Sequence, residues 1–131
     1  RNIFTAQIAG HDAITKITTI DWNGTKLAAT FAPEFRPGAK VAWLIPPSKI
    51  VLHRRDRPSR GEAENPISGI IQEYVALGDT VALTVRLDND ASHFVNFQVA
   101  RHVAERNGLA IAVRVTLSLI AEAIHLMPEA R

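Results

Sequence analysis

The sequence predicts an all-β protein built as two like, small barrels in tandem, the second carrying one short helix. Three observations predict it. Apolar and polar residues alternate through many short segments, the period of a half-buried strand. Hairpin signals fall at matching places in the two halves. The stretch Trp43 to Arg54, W-L-I-P-P-S-K-I-V-L-H-R, also has an echo about 74 residues later in Ser118 to Pro128, S-L-I-A-E-A-I-H-L-M-P. Both copies place Leu-Ile before a break and resume with Ile, apolar residues and a His, so His53 and His125 read as matched positions.

In the first half, Asn2 to Ile8 is a short extended piece, and Gly10-His11-Asp12 reads as a turn cluster. Ile14, Thr18, Ile20 and Trp22 then share one side of a strand. Asn23-Gly24 is the strongest two-residue hairpin signal, because both central positions need positive φ. Leu27, Ala29 and Phe31 alternate on the return, Pro33 ends it, and Pro37-Gly38 turns into a strand with Val41, Trp43 and Ile45 on one face. In the second half Pro66 permits only a strand start or an edge, and Ile67, Gly69 and Ile71 alternate after it. Leu77-Gly78-Asp79 is a turn. Val81, Leu83, Val85 and Leu87 alternate without a fault, Asp88-Asn89-Asp90 is a hairpin tip, and His93, Val95, Phe97 and Val99 alternate on the return. Ala100 to Arg106 switches to helical period, with Asn107-Gly108 as its stop. Ile111, Val113, Val115, Leu117 and Leu119 close the unit. Four or five short strands per unit, with a helix before the last long strand, fit five-stranded barrels of the oligonucleotide/oligosaccharide-binding (OB) type. The expected division is 1–57 for the first unit, 58–64 for a linker and 65–131 for the second. An exchange of the first strand between units is left open.

Composition narrows the function classes. At 131 residues, 47% hydrophobic and 21% charged, the chain has a globular balance with room for one ordinary core or two small ones. Cysteine is absent, which removes disulfides and thiolate chemistry and points to a reducing compartment. No apolar run approaches the ~20 residues of a membrane span. Arg1 to Gly10 lack the features of a signal peptide, and without an initiator Met the chain is expected to be a piece of a longer protein. The net charge is only +2, and much of the basic character is local, with four of the 15 Lys and Arg at Arg54, Arg55, Arg57 and Arg60. No phosphate-binding G-x-x-x-x-G-K-[ST] loop and no H-E-x-x-H occur. Asp88 and Asp90 follow from turn chemistry, and Glu73 and Asp79 have no partner suited to acid–base work. No catalytic residue, metal site or cofactor is expected. Trp43 reads as core, while Trp22 adjoins a turn and leaves a stacking role open.

The order of these segments resembles a known family. An extended N-I-F start, a hairpin, a P-G-x-x-V strand, L-I-P-P-S-K-I-V-L-H-R, a basic linker, a fresh strand with L-G-D, and a strand ending in I-H-L-M are similar to TOBE domains. These are the C-terminal regulatory segments of ABC-importer ATPase subunits and relatives of the molybdate-binding Mop proteins. Arg1-Asn2 looks like the end of the family's Ser/Thr-Ala-Arg-Asn opening, and Ala63-Glu64-Asn65 like the same opening in the second unit. The lysine that grips molybdate in such proteins would fall at Pro46 and Ile120, whereas Ser48 keeps a hydroxyl position. The resemblance therefore implies Arg1, Asn2, Ser48 and Asn65 as oxyanion-binding candidates.

It also implies a function: a non-catalytic regulatory and dimerisation module, cytoplasmic and peripheral to the inner membrane, sensing an oxyanion such as molybdate or tungstate. The implied partners are a second copy of the same subunit and a nucleotide-binding domain upstream in the parent chain. A different class of reading is a single-stranded nucleic-acid-binding barrel that uses the basic stretch Arg54 to Arg60. Such surfaces normally interleave stacking aromatics, and none lies in that stretch.

Overall fold

The computed structural model describes residues 3–53 and 64–129. Ten strands follow in order: β1 (Ile3–Asp12), β2 (Ile17–Trp22), β3 (Thr25–Thr30), β4 (Lys40–Leu44), β5 (Ile50–Leu52), β6 (Pro66–Leu77), β7 (Thr80–Leu87), β8 (Phe94–Ala100), β9 (Arg114–Leu119) and β10 (His125–Pro128). One helix, α1 (Arg101–Arg106), lies between β8 and β9, and single 3-10 turns (Pro47–Lys49 and Ala121–Ala123) precede β5 and β10. The strands form two five-stranded antiparallel sheets of like topology, ordered β10-β4-β1-β2-β3 and β5-β9-β6-β7-β8. The short strand after each 3-10 turn thus joins the sheet made by the other half of the chain. It is the last strand of each half that crosses, not the first.

The alternation read from the sequence decides which side chains go inside. In β7, Val81, Leu83, Val85 and Leu87 are all 2% exposed or less, while Thr80, Ala82, Thr84 and Arg86 face outwards. Burying four such side chains is worth about 1.5–3 kcal/mol each, as an upper bound. In the first sheet Ile20, Trp22, Leu27, Ala29, Val41, Trp43 and Ile45 do the same. Asn23 and Gly24 carry φ of 51° and 87°, the mirror-image turn whose twist suits a right-handed hairpin. Helix α1 packs on β7 and β8, buries Ala104, and stops where Gly108 takes φ of 63°.

Three expected features are corrected. Gly10-His11-Asp12 is not a turn: β1 passes a bulge between Ile8 and Gly10 and continues to Asp12 opposite Ile17. The turn follows at residues 13–16, with the Asp12 carboxylate accepting from the Ile14 and Thr15 N–H groups, so Ile14 sits at its tip, 94% exposed and off the predicted face. Ile111 likewise falls in a turn, 63% exposed, before β9 begins. The matching of His53 with His125 is off by two residues. His125 faces Leu44 as Val51 faces Ser118, so Val51 is the counterpart of His125. The same comparison sets Ile3 beside Pro66, because they face Leu44 and Ser118 respectively.

The β1 extension is held by a polar chain. His11 Nε2 donates to the Phe35 carbonyl at 2.6 Å, which leaves Nδ1 to accept from the Thr18 hydroxyl at 2.8 Å. Thr18, fully buried, in turn accepts from the Ala32 N–H at 2.8 Å. The chain ties the loop between β3 and β4 down over the first barrel.

Carboxylates at three hairpin tips make stability depend on acid. Two backbone N–H bonds, from Thr15 and then Ile14, hold Asp12 below its ordinary value of 3.8. Asp21 is lowered by the Lys26 ammonium and the Gly24 N–H, and Asp90 by the hydroxyl and N–H of Ser92. A carboxylate whose folded pKa lies below its unfolded one stabilises the fold above the unfolded value. That contribution is lost as pH falls through the folded value. Melting temperature should therefore stay level down to about pH 5 and drop below about pH 4. Replacing all three by Asn should flatten that drop, as followed by circular dichroism.

Candidate functional site

The two 3-10 turns sit side by side where the sheets exchange strands. The Ile120 N–H donates to the Lys49 carbonyl at 3.4 Å. Next to this contact Asn65, 6% exposed and at φ of 44°, binds both sheets. Its Oδ1 accepts from the Ala28 N–H at 2.8 Å, and its Nδ2 donates to the carbonyls of Ala28 at 2.8 Å and Leu119 at 2.9 Å. The Asn65 amide thus pairs with β3 as another strand residue would.

Of the four residues singled out by resemblance, Ser48 and Asn65 lie on adjoining segments of this belt, joined through Lys49, Ile120 and Leu119. Arg1 and Asn2 fall outside the described residues, as does the linker with Arg54 to Arg60. Asn2 is nonetheless the counterpart of Asn65 in the duplication, since Ile3 corresponds to Pro66. The Asn65 side chain has both amide hydrogens committed to carbonyls. Ser48 differs: it is exposed and its hydroxyl has no partner among the described residues.

Lys49 was not singled out from the sequence and stands beside Ser48. It is exposed, without an ion pair among the described residues, at the end of a turn that holds no acidic residue. It lies three residues beyond Pro46, where the family pattern places its lysine, and that shift was the available signal. The second turn has diverged. Glu122 stands where Ser48 does, and Ala123 where Lys49 does. An anion meets two donors at one turn and a carboxylate at the other, so the first is the one suited to it.

A shallow groove of about 380 Å³ opens elsewhere, on the outer face of the first sheet, lined by Thr5, Ala6, Gln7, Asp21, Asn23, Lys40 and Glu129. Two of its walls are carboxylates, and none of its residues belongs to the exchange belt, so an oxyanion finds poorer terms there. The tryptophans offer no outside platform. Trp22 and Trp43 are fully buried, 4.9 Å apart edge to face, with Phe4 against both and His93 stacked on Trp22 at 4.7 Å. Asp88 is held by Arg114, and Asp90 by Ser92 and Asn23. No cluster of three or more metal-ligating side chains occurs among the described residues. No helix among them is long and apolar enough to cross a membrane.

The fold and belt together define a tandem pair of OB-like barrels with its candidate site on the turn where strands cross. The sequence profile of the TOBE domain matches residues 43–127, and the chain belongs to the TOBE domain family. Among solved structures, the cytoplasmic molybdate-binding protein ModG, with molybdate bound, is similar at a TM-score of 0.83 and 17% identity. That likeness covers 98% of this chain and 96% of that one. At such identity it is a likeness of fold. A comparison with curated protein sequences finds no match.

Proposed function

We propose that the chain is a non-catalytic regulatory and dimerisation module of an ABC-importer ATPase subunit, sensing a small oxyanion such as molybdate or tungstate. The observation that carries this reading is the exit turn of β4, where Ser48 and Lys49 present a hydroxyl and an ammonium without a partner among the described residues, and no carboxylate lies in the turn. An oxyanion at neutral pH accepts hydrogen bonds and donates few, so it needs converging donors. Arg1 and Asn2 would add two more, and Asn65 would serve by fixing the frame. Membership in the TOBE family and the fold shared with a molybdate-binding protein support the same reading. The units are residues 1–57 and 65–131 with the linker 58–64 between them, each unit lending its last short strand to the other's sheet, and the module works in the cytoplasm beside the membrane-bound transporter.

Regulation requires two arrangements of paired modules and a ligand that prefers one of them, since equal affinity shifts nothing. Calorimetry with molybdate, tungstate, sulfate and phosphate tests the sensing step. We expect heat with the first two, and about tenfold weaker binding in Lys49→Ala, a loss of about 1.4 kcal/mol. No heat with any of the four removes the oxyanion, while the module's family stands. The nucleic-acid reading gains nothing from Trp22 and Trp43, whose faces are covered. A low-salt gel shift with single-stranded DNA should show no complex.

A further inference from the structure

The duplicated hairpins differ in how they treat a free edge. In the first unit, the edge bonds of β1 end with Ile8 N to Ala39 O at 2.9 Å and Gly38 N to Ile8 O at 2.7 Å. In the second, those of β6 end likewise with Ile71 N to Val113 O at 3.0 Å and Ala112 N to Ile71 O at 2.8 Å. Both strands then run past a bulge. The first soon stops at Asp12, with His11 bonded to the loop beside it and the Asp12 carboxylate closing the turn. The second continues to Leu77, paired with β7 on one side and with no described residue on the other. Residues 72–77 read Gln-Glu-Tyr-Val-Ala-Leu, with Val75 48% and Leu77 51% exposed. Natural edges are blunted with Lys, Pro or a covering segment. The first unit has its cover. Among the described residues this edge has no Lys, Pro or covering segment, only the bulge at its start and the charge of Glu73.

We propose that two copies of the chain meet along this edge, β6 pairing antiparallel with β6 of the second copy about a two-fold axis at Val75. The inference rests on the homodimer reading above and names its interface. The segment is self-complementary in that register. Val75 faces Val75 on the outer face, and Tyr74 faces Ala76 on the other, a large residue against a small one. Glu73 meets Leu77. Moving the axis to Ala76 would set Glu73 against Asp79, and moving it to Glu73 would set that carboxylate against itself, so like charges disfavour both shifts. Main-chain hydrogen bonds would supply the adhesion and the alternating side chains the register.

The chain contains no cysteine, so one introduced thiol reads the geometry cleanly. Directly opposed residues in an antiparallel pair lie about 4.5–5.5 Å apart at Cα, within reach of a disulfide. Val75→Cys, treated with diamide, should cross-link to a dimer about tenfold faster than Ile14→Cys, a thiol on the more exposed tip of the other hairpin. In sedimentation, wild type should be dimeric at tens of micromolar. Val75→Lys should be monomeric and folded, with the melting temperature that wild type shows when diluted to monomer. A dimer that survives both Val75→Lys and Leu77→Lys, with Val75→Cys no faster than Ile14→Cys, overturns this interface and leaves the homodimer. A wild type that stays monomeric throughout overturns both.

Discussion

Asn65→Asp should cost about 4 kcal/mol or more at pH 7, exceeding Asn65→Ala at about 3 kcal/mol. In the native chain the amide makes three hydrogen bonds at 2.8–2.9 Å while 6% exposed. Alanine leaves one N–H and two carbonyls short of a partner, each worth about 1 kcal/mol or more. Aspartate still accepts from the Ala28 N–H but has nothing to donate, and it aims a buried negative charge at the carbonyl oxygens of Ala28 and Leu119. Burial and those oxygens raise its folded pKa above the ordinary carboxylate value of about 3.9. The sign follows: stability is retained at low pH, where the acid is protonated and can donate, and is lost as pH rises through the raised value. Urea melts at pH 4.5 and pH 7 measure it. A variant equally stable at both would mean that the amide donors matter little.

Gly69→Ala is the second large effect, at about 3 kcal/mol or more. Gly69 stands in β6 opposite Leu87, and a Cβ there would meet the Arg86 carbonyl oxygen and lie 2.7 Å from Val85 Cγ1. The carbonyl belongs to the neighbouring strand of the same barrel, so relief requires moving backbone rather than turning a side chain. Overpacking of a closed core typically costs 1–3 kcal/mol even when side chains yield, and here the nearest atom cannot. A melting temperature within about 4 °C of wild type would show that the strand shifts at little cost.

Much of the fold was legible because its determinants are local. The fault-free alternation of Val81, Leu83, Val85 and Leu87, the Asn23-Gly24 turn and the Asn107-Gly108 stop each follow from a few adjacent residues. The misread places depend on distant partners. Gly10, His11 and Asp12 look like a turn until Thr18 and Phe35 draw His11 into a strand. Asn65, an oxyanion candidate through the family resemblance, is bonded to Ala28, 37 residues away, a partner the sequence does not show. Lys49 stands on the same turn three residues past Pro46, off the position at which the resemblance looks for a lysine.

The crossing of β5 and β10 has a mechanical consequence. Each sheet owes an end strand to the other half of the chain, so neither half is complete if the two part. Unfolding should then be a single cooperative event rather than two, and slow to reverse, because both closures join residues far apart in sequence. A load on one sheet therefore reaches the other through β5 and β10, each continuous with the opposite half of the chain.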